Sequence, residues 1–197
     1  MKELDRSYTF DIVGQVARSP LTAQLVGLLY GFGGALLLSW PYYLIWHESL
    51  VPAETTLEKR LVNAGLAILL MVLGICVHEW IHAVTWMLAG KLPRAKIRFG
   101  IQKSTYMPYC HCFVPMQRNA YQLGVLMPFA ILGVIPMAVA VFTGSVWVFM
   151  FACFFTVAAG ADLLLLRLLI GVPKHYWLLD HPMDLGCQLL LRKEISS

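Results

Sequence analysis

LVNAGLAILLMVLGICVHEWIHAVTWMLAG, residues 61–90, is long and apolar enough to cross a bilayer, yet it carries His78, Glu79 and His82 in its second half. A spanning helix needs about 20 predominantly apolar residues. An ionisable group inside one costs roughly 2.5–3.5 kcal/mol on insertion scales, so such groups normally have functional partners. His78 and His82 are four residues apart. On a helix they project from one face, one turn apart, close enough to hold a single zinc ion. Glu79 is turned about 100° around the helix from His78, off the metal but near a water at the metal. This is the HExxH pattern of two histidine ligands and a glutamate general base.

The rest of the chain agrees with a membrane setting. Of its 197 residues 59% are hydrophobic and only 13% charged, with a mean hydropathy of +0.69. Soluble domains carry about 25% charged residues, so composition points to one integral membrane domain over residues 1–197. The net charge of +4 is not read as a nucleic-acid footprint, because the basic residues cluster at the ends of apolar runs rather than on a face interleaved with aromatics.

Four segments reach spanning length: roughly 21–46, 61–90, 121–143 and 146–170. Pro128 and Pro136 should kink the third. Thr143-Gly144-Ser145 joins the last two as a hairpin. Lys2, Arg6 and Arg18 precede the first segment, and Lys91, Arg94, Lys96, Arg98, Lys103 and Arg118 separate the second from the third. Lys174, Arg192 and Lys193 follow the fourth. On the other side lie Lys59 and Arg60, among Glu48, Glu54 and Glu58. The positive-inside rule therefore puts both termini in the cytoplasm. Cys110, Cys112 and Cys187 fall on that reducing side, and Cys76 and Cys153 lie in apolar segments, so no disulfide is expected.

The fold class that follows is an all-α membrane protein of about four transmembrane helices with a small β-hairpin on the cytoplasmic face. The hairpin is expected within residues 91–118, where alternation around Ile97 and Phe99 is followed by the β-prone run Tyr106 to Val114, with Lys103-Ser104 as turn. Residues 1–20 read as a short amphipathic segment ended by Pro20. The tail holding His175, Asp180, His181 and Asp184 reads as a solvated interfacial segment, in preference to one that folds back to support the metal ligands.

A catalytic zinc site expects a third protein ligand and one open position. The second and fourth segments run in the same direction. His82 lies eight residues before Gly90, and Asp162 lies nine before Gly171. At about 1.5 Å per residue both sit on the order of 12–14 Å from the cytoplasmic end. Asp162 follows Ala158-Ala159-Gly160-Ala161, small residues that let helices approach closely. It is the predicted third ligand, in preference to a partner for Arg167, five residues on. Cys110-His111-Cys112 is assigned to hairpin packing, since a strand turns the thiols one way and the imidazole the other.

A membrane-embedded HEWIH, a charged β-prone stretch containing IRFG, and a final helix carrying AAGAD together resemble the site-2 protease class of intramembrane zinc metalloproteases, most closely a small bacterial branch of zincin peptidases. The resemblance covers roughly 61–171. It implies zinc bound by His78, His82 and Asp162, Glu79 as catalytic base, and hydrolysis of membrane protein or peptide substrates within or beside the bilayer of a bacterial inner membrane. In the better-known members the aspartate precedes a glycine. Here Gly160 comes before Asp162 and Leu163 after it, and no Asn-Pro pair accompanies it, so no oxyanion donor is assigned. Two other classes are weighed. A scaffold or binding protein with a structural metal site would not need Glu79. A transporter would need polar residues along the first and third segments, which are almost purely apolar.

Overall fold

The computed structural model describes residues 8–47, 56–103 and 106–194. Lys2, Arg6, Glu48, Glu54 and Ser104, used above for topology and for the hairpin turn, lie outside them. The fold is mostly helical. Strand β1 (Tyr8–Arg18) leads into α1 (Pro20–Trp46), and α2 (Leu57–Ala89) follows. After a short 3-10 turn come β2 (Ile97–Ile101), β3 (Pro108–Cys112) and β4 (Met116–Gln117). Helix α3 (Arg118–Pro128) continues through a π-helical stretch, Phe129–Val134, into α4 (Ile135–Thr143). Helices α5 (Val146–Ala158) and α6 (Gly160–Leu168), then strands β5 (Trp177–Asp180) and β6 (Leu185–Glu194), complete the chain.

Helix boundaries follow ordinary capping. Ser19 accepts a bond from the Thr22 amide, with Pro20 at the first helical position, and Thr56 accepts one from Lys59. Gly144 closes α4 at φ 69°, a left-handed conformation that glycine adopts without penalty, and Ser145 then caps α5. Three helical stretches are long and apolar enough to cross a membrane: 20–46, 57–89 and 118–143. Helices α5 and α6, bent by 44° at Ala159, make a fourth if taken together. The outer faces of α1 and α2 carry exposed apolar side chains such as Leu29, Leu36, Leu69 and Leu70, which water would not favour.

The third segment runs as one helical stretch from 118 to 143, and where its prolines predict a kink the helix widens to π-helical over Phe129–Val134, between Pro128 and Pro136. The expected hairpin forms between β2 and β3, pairing Ile97 with Cys112 and Ile101 with Pro108. The expectation of an otherwise all-α chain is corrected by a second sheet, antiparallel, in the order β1-β6-β5-β4. The segment before Pro20 is a strand, not an amphipathic piece, and the C-terminal tail is a hairpin, not solvated coil. Tyr8 pairs with Glu194 and Arg18 with Leu185. Lys193 forms an ion pair with Asp11, and the Arg192 guanidinium lies 3.3 Å over the Tyr8 ring.

Two packing features position the site. Ala23, Gly27, Gly31 and Ala35 form a buried stripe on α1, and the backbone of α5 and α6 lies directly on it. A Cβ at Gly31 would lie 2.5 Å from the Val157 carbonyl oxygen, and one at Gly160 would lie 2.1 Å from that of Gly27. At the sheet end, a core containing Trp86, Cys112, Met116, Tyr121, Leu165 and Leu178 joins α2, α3 and α6 to both sheets. At the other end Tyr42 donates to the Gly144 carbonyl and Trp46 to that of Val141, fixing α1 to the α4–α5 turn.

Candidate metal centre

His78 and His82 lie on the buried face of α2, at 8% and 6% exposure, with ring centroids 5.0 Å apart. Asp162 stands in the first turn of α6, just past the break at Ala159, where the positive end of the helix dipole favours a carboxylate. Its Oδ2 is 3.1 Å from His78 Nε2 and its Oδ1 is 3.4 Å from His82 Nε2. One donor atom from each of the three residues falls within 4.8 Å of the others. The depth match between His82 and Asp162 in the sequence is thus a contact in the fold.

The donor set fits a zinc ion. Ligand atoms about 2.05 Å from a tetrahedral zinc stand roughly 3.3 Å from one another, close to both imidazole–carboxylate separations. His82 Nδ1 lies 2.9 Å from the Gly124 carbonyl oxygen, to which it can only donate. That bond leaves Nε2 facing a carboxylate oxygen, where the ring donates a proton when charged and offers a lone pair to a metal ion when neutral. A backbone carbonyl orienting a ligating histidine in this way is a common feature of metal sites. His78 Nδ1 is buried without a partner among the described residues, so that ring makes its polar contacts through Nε2 alone.

Glu79 is half-buried and does not join the three donors. Its carboxylate reaches the backbone amide of Cys110 on β3. All four residues line one cavity of about 650 Å³, bounded also by β3 and by the turn from Asp180 to Gly186. The pairing of β3 with β2, together with the Phe113 amide bond to Lys96, turns the amides of Cys110 and Cys112 away from β2. Those two amides face Glu79 and Asp180 instead. The outer edge of β3 therefore runs along the cavity.

The remaining polar clusters fall as follows. Asp180 is buried, not solvated as the tail reading had it. It accepts 2.7 Å bonds from the Cys112 amide and the Tyr121 hydroxyl, and sits 4.0 Å from His111 Nδ1. Burial raises its pKa, and the two donors oppose that shift. His181 accepts from the Asp184 amide and faces Gln15 of β1 at 3.2 Å, joining the turn to the N-terminal strand. His47 and His175 are exposed and away from the centre. All five cysteines are free thiols. Burial pushes Cys112 up to about 11 and Cys187 up to about 12, and raises Cys110 too, so these three stay protonated at neutral pH.

Reading the sequence missed Gly124 and Tyr121. Gly124 supplies the carbonyl for His82 and leaves room for Trp86, whose indole nitrogen would lie 2.0 Å from a Cβ there. Trp86 stacks between His82 and Tyr121 and donates to the Tyr121 carbonyl. A glycine at the seventh position of α3 carries no sign of this. The run Trp86–Tyr121–Asp180 becomes visible only once α2, α3 and β5 are packed together.

A family model described as "Putative zincin peptidase" matches residues 71–177, more than half of the chain and all four residues of the centre. The chain belongs to this family, and membership implies a zinc-dependent peptidase. No curated protein and no solved structure matches it.

Proposed function

We propose that the protein is an intramembrane zinc metalloprotease of the site-2 protease kind, cutting membrane-associated proteins or peptides in a bacterial inner membrane. The observation that carries this reading is the meeting of His78, His82 and Asp162 on one side of a cavity whose neighbouring wall is Glu79. Zinc bound there supplies a Lewis acid that polarises the scissile carbonyl and acidifies water. Glu79 accepts a proton from the attacking water at its carboxylate and delivers it to the leaving amine nitrogen. The β3 edge receives the substrate as an added strand, so that backbone groups pulled out of a helix keep hydrogen-bond partners. A scaffold with a purely structural metal is the competing reading, and a glutamate at the cavity wall that is not a ligand argues against it.

Metal analysis tests the centre directly. Purified protein is expected to hold about one zinc per chain, as a mononuclear site requires. His82→Ala and Asp162→Ala should each lose most of it. Full zinc retention by either variant would remove that residue from the site.

The sidedness is part of the proposal. Both sheets lie at one end of the bundle, together with the basic residues between α2 and α3, which supports a cytoplasmic placement of that end. Topology reporters at residues 104 and 197 should read cytoplasmic and one at 53 extracytoplasmic. A cytoplasmic signal at 53 would overturn the four-span arrangement.

A further inference from the structure

A second concavity, of about 950 Å³, lies outside the metal centre. Helices α1 and α3 form its walls, and α6, packed against both, forms its floor. None of its lining residues also lines the metal-centre cavity. Its inner part is apolar, with Leu126, Leu163 and Leu166 facing Gly33 and Leu37 of α1. Its end toward the sheets is polar. Arg167 from the last turn of α6, Asn119 from the first turn of α3, and Gln122 one turn further meet there. The side chains of these three make no hydrogen bond or ion pair among the described residues, and no carboxylate lines the groove.

We propose that this groove binds an anionic glycerophospholipid, its phosphate on Arg167, Asn119 and Gln122 and an acyl chain along the leucines toward the middle of the bundle. The inference rests on the chain spanning a bilayer, one part of the function proposed above, and is independent of the zinc chemistry. Charge and depth both favour a lipid. An unpaired guanidinium beside two amide donors matches a phosphate, and it stands at the end of an apolar slot where a headgroup would sit. A peptide substrate in the slot would lie against the face of α6 turned away from the centre.

The test uses delipidated full-length protein in detergent, titrated with dioleoylphosphatidylglycerol or dioleoylphosphatidylcholine, with bound lipid counted by native mass spectrometry. The wild type should bind one phosphatidylglycerol about tenfold more tightly than phosphatidylcholine, because both offer a phosphate but the choline cation of the second repels Arg167 and offsets that contact. Arg167→Gln should erase that preference and Arg167→Lys should retain most of it. Gly33→Phe should weaken both lipids, because a Cβ at Gly33 meets nothing within 4 Å and the ring would enter the slot. Equal binding of the two lipids by the wild type, or an unchanged preference in Arg167→Gln, overturns the proposal. So does crosslinking that finds a second copy or a substrate helix in the groove. Zinc content measured on the same samples separates this outcome from failure of the protease reading.

Discussion

Glu79→Gln is expected to keep its zinc and lose proteolysis. Glutamine has nearly the same shape and still offers an oxygen to the Cys110 amide that the glutamate carboxylate reaches. What it cannot do is take a proton from water and return it to an amine. General acid–base catalysis of this kind contributes about 10²–10⁴-fold, and the rate of substrate cleavage should fall within or beyond that range. Because Glu79 stands apart from the three converging donors, the metal content should stay at the wild-type level. Both quantities are read on one preparation, by elemental analysis and by cleavage of an accepted membrane substrate. Wild-type cleavage by Glu79→Gln would exclude the mechanism, and loss of zinc would make Glu79 a ligand.

The largest structural effect should come from a single methyl group at Gly160. Its Cβ would lie 2.1 Å from the Gly27 carbonyl oxygen, 2.8 Å from the Gly27 carbonyl carbon and 2.9 Å from the Gly31 amide nitrogen. These are backbone atoms of a neighbouring helix, with no flexible end that can swing aside. Helices α1 and α6 must separate, and Asp162, two residues on, must move with α6. Gly160→Ala should therefore destabilise the protein by about 2–3 kcal/mol, the upper part of the overpacking range, and weaken zinc binding at the same time. Gly65→Ala is the matched control. It lies inside α2 with nothing within 4 Å of its Cβ, so the same substitution should be neutral or slightly stabilising through helix propensity. Thermal unfolding in detergent and zinc content compare the two. A Gly160→Ala protein that melts and binds zinc like the wild type would show that the close approach of the helices is not required.

The centre was legible in the sequence because its determinants are local or arithmetic. HExxH encodes its own geometry, and two helices running the same way let residue counting match His82 with Asp162. The small residues before Asp162 announced close packing, though not that the helix breaks at Ala159 and aims the carboxylate from a fresh N-terminus. The four-stranded sheet was hidden for a physical reason. A register shift at Val13, between Ile12 and Gly14, interrupts the alternation of β1. Strand β6, paired on both edges, buries the consecutive residues Gly186 and Cys187 and so lacks a two-residue period. Pairing between such distant stretches leaves no mark in either one. Asp180 was misjudged with its strand, since a carboxylate in a tail looks solvated until the tail is folded over Tyr121.

The pairing of β1 with β6 has a consequence for biogenesis. Strand β1 leaves the ribosome well before β6 and must wait for it, because Tyr8 finds Glu194 and Arg18 finds Leu185 only after every intervening helix has been made. Contacts of such long sequence separation form late. The turn that bounds the metal-centre cavity, between β5 and β6, is held to β1 through His181 and Gln15. Until β6 is made, the cavity beside the HExxH helix lacks the wall that this turn supplies. On the protease reading proposed above, a nascent copy is idle until its own synthesis has passed β6.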